Sequence, residues 1–227
     1  MNSKIPVEYE RGYTKFLNCK IDLRNRVFIP RIETEFWVKK AIKEINQRTK
    51  NKEQRTKILD IFSGSGCIGI ALLKNIKNSF LDFVDVDKRA IEQIKINLKL
   101  NKIPKSRYKI YQSNLFEKIK NKNYNYIFAN PPYVAKERMA EVQESVKKLE
   151  PKISWYGGKK GLKYIKRFLK EAKNFLKPKG VIYLEIDPLQ KEEIKKILEK
   201  DGWANFKFFK DQFKKWRFLK VGASKND

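Results

Sequence analysis

Lys57-Ile-Leu-Asp-Ile-Phe-Ser-Gly-Ser-Gly66 reads as a buried strand running into a glycine turn, and Ile68, Ile70, Ala71, Leu72 and Leu73 continue from it as an apolar helix. Glycines let the backbone approach a ligand, and the N–H groups of a helix start face it. The turn is not GxxxxGK[ST], so it predicts no phosphate-gripping lysine, and it is not GxGxxG either. Taken alone, such a turn is more often structural than a site.

The segments downstream change that balance. Ser79 to Val86 predicts a second strand ending at Asp85 and Asp87, and one of these carboxylates should sit at the strand's carboxyl edge, where it can accept from both hydroxyls of a ribose. A helix over Lys88 to Leu100 and a third strand around Arg107 to Tyr111 follow, closed by Asn114 and Leu115. The fourth strand, Tyr124-Asn-Tyr-Ile-Phe-Ala-Asn-Pro-Pro-Tyr133, stops at two prolines that cannot donate to a ladder and that push the preceding residue out of the helical region. Pro131 and Pro132 lack N–H groups, so carbonyl oxygens in this corner can accept alongside the side-chain oxygen of Asn130, with the Tyr133 ring beside them. Two acceptors and an aromatic face suit a planar NH2 group; the plainer reading is a strand ending in a proline-rich turn. Strand and helix alternate as a parallel sheet with right-handed crossovers requires. Ligands bind such sheets at the carboxyl ends of the strands, where the glycine turn, Asp85, Asn114 and Asn130 would converge.

On either side of this unit the signals are weaker. Residues 1–30 read as a short N-terminal hairpin or lid, with Val27-Phe28-Ile29 as a strand closed by Pro30, and residues 31–227 as the main domain. Apolar spacing predicts a helix from Glu33 to about Ile45, followed by a polar linker over residues 50–56. Val134 to Lys160 is a charged, partly helical excursion of the kind that covers a substrate. A helix over Leu162 to Leu176, a turn at Lys177 to Gly180, a strand over Val181 to Ile186 and a helix over Glu192 to Lys200 come next. The chain closes on an antiparallel hairpin over Trp203 to Phe209 and Phe213 to Val221.

The bulk composition limits the function classes. At 227 residues with 41% hydrophobic content the chain can bury a core, and no apolar run approaches the ~20 residues needed to span a bilayer. Histidine is absent, which excludes histidine-based catalysis and most zinc sites; no metal is expected. Cys67, at the start of an apolar helix, reads as a small buried thiol. The net charge of +27 would attract phosphate backbones. Its lysines are scattered along every expected helix, so a solvated lysine coat and an affinity for RNA or the ribosome both stay open. A cytoplasmic monomer is expected.

Several words spread along the chain resemble the HemK/PrmC family of S-adenosylmethionine-dependent release-factor glutamine methyltransferases. They are Ile29-Pro30-Arg31 with Glu33-Thr34-Glu35, Asp60 to Gly66, Asp85 with Ala90 and Asn97, and Gln112 to Phe116. Asn130 to Tyr133, Glu150-Pro151, Gly158 with Gly161-Leu162, Glu185, and Asp211 with Arg217 complete the set. The resemblance implies a Rossmann-like class I methyltransferase fold, α/β, with a seven-stranded, mostly parallel sheet, helices on both faces and the C-terminal antiparallel hairpin. It implies that Asp60, Phe62, Ser63, Gly64, Ser65 and Gly66 hold the methionine part of S-adenosylmethionine, that Asp85 holds the ribose, and that Asn114 and Leu115 border the adenine. Asn130 would touch cofactor and substrate alike. Asn130, Pro131 and Tyr133 would be catalytic, and Pro132 and Arg31 would join them in binding the glutamine amide of a release factor. The family usually has glycine where Phe62 stands and aspartate where Asn114 stands. It also carries an N-terminal helical domain, expected to be lacking here, where 30 residues precede Arg31.

Two other readings use the same residues. A methyltransferase acting on adenine or guanine amines shares the Asn-Pro-Pro-Tyr corner and predicts salt-sensitive nucleic-acid binding. A non-catalytic basic module would have no use for Asp85 and Asn130 together.

Overall fold

The computed structural model describes residues 5–50, 53–120 and 122–222; residues 1–4 of the N-terminal segment and 51–52 of the expected linker lie outside them. In chain order the elements are α1 (Val7–Arg11), β1 (Tyr13–Phe16), β2 (Cys19–Asp22), α2 (Ile32–Thr49), β3 (Thr56–Ile61), α3 (Cys67–Asn75), β4 (Ser79–Asp85), α4 (Lys88–Leu100) and β5 (Tyr108–Gln112). There follow β6 (Tyr124–Ala129), β7 (Val134–Ala135), α5 (Glu144–Leu149), β8 (Tyr156–Gly158), α6 (Lys163–Ala172), β9 (Leu176–Glu185), α7 (Lys191–Lys200), β10 (Asn205–Lys210) and β11 (Trp216–Gly222).

The seven-stranded sheet runs β10-β11-β9-β6-β3-β4-β5. Its five strands from β9 to β5 are parallel, and β10 and β11 form the antiparallel hairpin on the β9 edge. Both faces are covered, so the central strands are apolar on both sides. On β6, Tyr126 and Phe128 enter the core shared with α2, α3 and α4, while Ile127 and Ala129 enter the one shared with α6 and α7. The chain winds outward from β3 through β4 to β5, then returns through β6 to β9. The switch point therefore falls between β3 and β6, where strand ends part and leave a crevice. Ile61 lies opposite Ala129 across that pair, so Phe62 and Asn130 leave the sheet side by side.

Two expectations need correcting. Among the described residues Val27–Ile29 pairs with no strand; Val27 and Ile29 are buried in the main core instead, and the N-terminal hairpin is β1 with β2. Lys177–Gly180 does not precede the strand but bulges within β9: Tyr124 pairs with Leu176 and Tyr126 with Val181, and the extra residues are taken up around Lys179 at φ +62°.

The hairpin is bound to the domain by polar side chains. Lys20 N and Asp22 N donate to Asn101 Oδ1 and Asn97 Oδ1 (3.2 and 2.7 Å), and the same two amides donate back to the Lys20 and Asp22 carbonyls (2.8 and 3.1 Å). Asn97 of α4 and Asn101 at its C-cap thus stand in for a neighbouring strand along β2. Among the described residues no helix is long and apolar enough to cross a membrane.

Candidate active site

The glycine turn after β3 is built by strand ends. Ser63 N donates to the Val84 carbonyl (3.0 Å), while Ser63 Oγ donates to the Asp60 carbonyl (2.7 Å) and accepts from Val84 N (3.0 Å). Phe62 takes φ +61° there, a left-handed conformation that costs a bulky residue about 1–2 kcal/mol. Its ring packs on Tyr164 and Phe168, which offsets part of that cost. Gly64, at φ +53°, has only open space where a Cβ would lie.

Asp85, at the end of β4, accepts from Gly64 N through Oδ2 (2.8 Å) and from Asp87 N through Oδ1 (2.9 Å). Burial pushes its carboxyl up to about 6, against those two donors. Asp87 instead caps α4 and pairs with Arg89 at the surface. Asn114 follows β5, its Oδ1 accepting from Arg167 Nη1 (3.0 Å) and its Nδ2 donating to Glu117 (2.8 Å), and Leu115 is buried beside it.

The Asn130 corner continues from β6. Asn130 Nδ2 donates to Thr34 Oγ1 (3.4 Å), and among the described residues nothing donates to Asn130 Oδ1 or to the Pro131 carbonyl. Gly157 and Gly161 let the next segments close on the corner: a Cβ on Gly157 would lie 2.6 Å from the Pro132 oxygen, and one on Gly161 would collide with the Tyr133 carbonyl. Gln190 Nε2 donates to that carbonyl (3.1 Å). The Tyr133 hydroxyl donates to buried Glu185 (3.3 Å), and burial raises the pKa of both groups.

One cavity of about 330 Å³ joins these parts. Phe62, Ser63, Gly64, Ser65, Asp85, Asn114 and Leu115 line it, together with Arg31, Asn130, Pro131, Pro132 and Tyr133. Asp60 and Gly66 are not on its wall. Asp60 is fully buried, its Oδ2 accepting from Gly69 N (3.0 Å) and its Oδ1 without a partner among the described residues, and burial together with the Asp85 charge pushes it up to about 8. A Cβ on Gly66 would meet Ile94 of α4 at 3.1 Å. In this structure these two residues fasten α3 and α4 beneath the turn.

Residues 43–152 match the methyltransferase small domain. Over 218 residues the chain is 33% identical to a release factor glutamine methyltransferase of Borreliella burgdorferi, covering 96% of this chain and 73% of that protein. It is 32% identical to the enzyme of that name in Thermodesulfovibrio yellowstonii, over 92% of this chain and 73% of that protein. The chain belongs to the release factor glutamine methyltransferase family. Solved structures share this chain's fold at lower identity. One is a human methyltransferase 10 domain containing protein (TM-score 0.62, 16% identical, covering 95% of this chain and 92% of that one). Another is the N-terminal domain of human METTL16 in complex with SAH (TM-score 0.63, 18% identical, covering 97% and 79%).

The methyl donor of this family, S-adenosylmethionine, suits the residues present. Gly64 leaves room where a side chain would intrude, and Asp85 stands at the strand end with acceptor capacity left after its two backbone donors. Residues that reading the sequence for chemistry overlooked are Thr34, Trp37, Glu150 and Glu185. Thr34 Oγ1 and Trp37 Nε1 donate to Glu185 Oε2 at 2.6 and 2.7 Å, and Arg31 Nη2 donates to Glu150 at 3.0 Å. Thr34, Glu150 and Glu185 stand among the family words, which is the signal that could have found them.

Proposed function

We propose that this chain transfers a methyl group to the side-chain amide nitrogen of a glutamine in a peptide-chain release factor. The observation that carries the reading is the pair of unengaged acceptors, Asn130 Oδ1 and the Pro131 carbonyl, in the same cavity as the glycine turn of a family member. A carboxamide nitrogen is a poor nucleophile because its lone pair is conjugated. Two acceptors on its two N–H groups hold the nitrogen in place and favour the geometry in which that conjugation is broken. When bound, S-adenosylmethionine supplies a methyl group activated on a positively charged sulfur. Phe62 to Ser65 border its methionine part in this reading, Asp85 its ribose, and Asn114 and Leu115 its adenine. Arg31 and Pro132 complete the wall on the substrate side. The amide proton leaves to water afterwards, so no side-chain base is required.

A monomer working in the cytoplasm fits such a partner, and the lysine-rich surface suits docking beside ribosomal RNA. The decisive experiment offers labelled S-adenosylmethionine with, in parallel, a release factor bearing Gly-Gly-Gln and total RNA. Label in the release factor supports the reading, while label in RNA alone sinks it in favour of a nucleobase amine. Asn130→Ala should lower turnover about 10³-fold or more with cofactor affinity by calorimetry largely kept; full activity would remove the corner from the mechanism.

A further inference from the structure

Asn130 has an orientation as well as a position, and the source of that orientation lies below the cavity. Glu185 ends β9 under the corner, buried, with a carboxylate that can only accept once ionised. Its Oε2 takes the hydroxyl proton of Thr34 (2.6 Å) and the indole N–H of Trp37 (2.7 Å), and its Oε1 takes the hydroxyl of Tyr133 (3.3 Å). Thr34 has one proton, and it is committed to Glu185. Toward Asn130 the threonine therefore shows only lone pairs, and it is the amide Nδ2 that meets them, at 3.4 Å. With Nδ2 turned to Thr34, Oδ1 is turned away from it, and among the described residues no donor reaches it. At this length the contact is weak, and its effect lies in excluding the opposite orientation. A threonine free to rotate could donate to the amide oxygen, leaving Asn130 to present NH2 against the NH2 of an acceptor.

We propose that Thr34 and Glu185 are positioning residues that set the polarity of Asn130. The carboxylate directs the hydroxyl, the hydroxyl directs the amide, and the amide offers oxygen to an N–H-bearing acceptor. The chain of donors runs from Thr34 on α2, Trp37 on α2 and Tyr133 after β6 into one buried group, so it joins α2, β6 and β9 under the reacting corner. It rests on the reading that the acceptor is a carboxamide.

The test uses the full chain with S-adenosylmethionine and a release factor. Thr34→Val should lower kcat about 30-fold with cofactor affinity unchanged, and Thr34→Ser, which keeps the hydroxyl, should recover most of the rate. In an Asn130→Asp background, where a carboxylate presents oxygen either way round, Thr34→Val should cost nothing further. A threonine with a merely structural role would cost the same in both backgrounds, and that outcome overturns the proposal. A second readout needs no acceptor: the side-chain amide signal of Asn130 in a nitrogen–proton spectrum, identified by its loss in Asn130→Asp, should move in Thr34→Val and stay in Thr34→Ser. If the unaltered chain transfers nothing to the release factor while that signal still moves, the glutamine reading fails and the positioning stands. If transfer occurs and Thr34→Val keeps the full kcat, or the signal does not move, the positioning falls.

Discussion

Two segments wall the cavity from outside the sheet, and they are held by different physics. The first, residues 13–31, sends Phe16, Cys19, Ile21, Leu23, Val27 and Ile29 into the main core and is hydrogen-bonded along β2 by Asn97 of α4 and Asn101 at its C-cap. The second, residues 134–161, is built from short turns with few buried side chains, and it is tied by ion pairs at its surface, Arg138 to Asp187 (2.9 Å) and Lys160 to Glu193 (2.9 Å). Glu150 of the second meets the first, pairing with Arg31 (3.0 Å) and taking a hydrogen bond from the Ile29 backbone. A segment buried and paired in this way opens only with the whole domain, whereas one held by exposed ion pairs opens locally. The first wall is anchored in the core, and the second is anchored chiefly at its surface.

The sharpest way to break the contrast is Asn97→Ala. Asn97 is fully buried, accepts from Asp22 N, and donates to the carbonyls of Asp22 and Ser65, so its loss strands a buried donor and two acceptors. A loss of about 3 kcal/mol or more in global stability is expected by urea denaturation, with weakened S-adenosylmethionine binding because Ser65 belongs to the glycine turn. An unchanged midpoint would mean that the first wall is hung on the domain like the second.

A smaller effect is expected at the joint between the walls. Burial pushes Glu150 up to about 7 from 4.5, against the Arg31 charge. The folded state thus binds a proton that the unfolded chain has already released, so this group's contribution to stability is complete below about pH 4.5 and is lost as pH rises through 7. Glu150→Gln removes the titration while keeping an acceptor for Arg31. Its melting temperature relative to the unaltered chain should rise between pH 4 and pH 8, by the equivalent of up to about 3 kcal/mol. A pH-independent difference would show that Glu150 does not titrate in that window.

The smallest effect belongs to the second wall alone. Arg138→Ala removes a partly exposed pair with Asp187 and should leave global stability within about 0.5 kcal/mol. Hydrogen exchange over residues 134–161 should quicken, and KM for the acceptor should rise with cofactor affinity unchanged. Slower or unchanged exchange would count against local opening.

The glycine turn, Asp85 and the Asn130 corner were legible from the chain alone because each depends on residue types that act locally: glycine for a left-handed turn, an acid at a strand end, paired prolines that stop a ladder. Phe62 was legible as a departure from the family's glycine, and its φ of +61° gives the reason glycine is usual there. Asn114 carries a complication invisible in the chain, since Arg167, 53 residues on, occupies its side-chain oxygen.

The alternation of strands and helices, the parallel order with its terminal hairpin, and the polar strand ends that line the cavity were determined by the sequence, through propensity and short-range backbone chemistry. Tertiary structure alone decided that Asp60 turns inward to Gly69, that the residues after β1 join the core, and that Asn130, Thr34 and Glu185 form one line of hydrogen bonds. Those partners are 96 and 151 residues apart, and a buried carboxylate at the end of an apolar strand carries no local sign of which donors will reach it once the chain has closed.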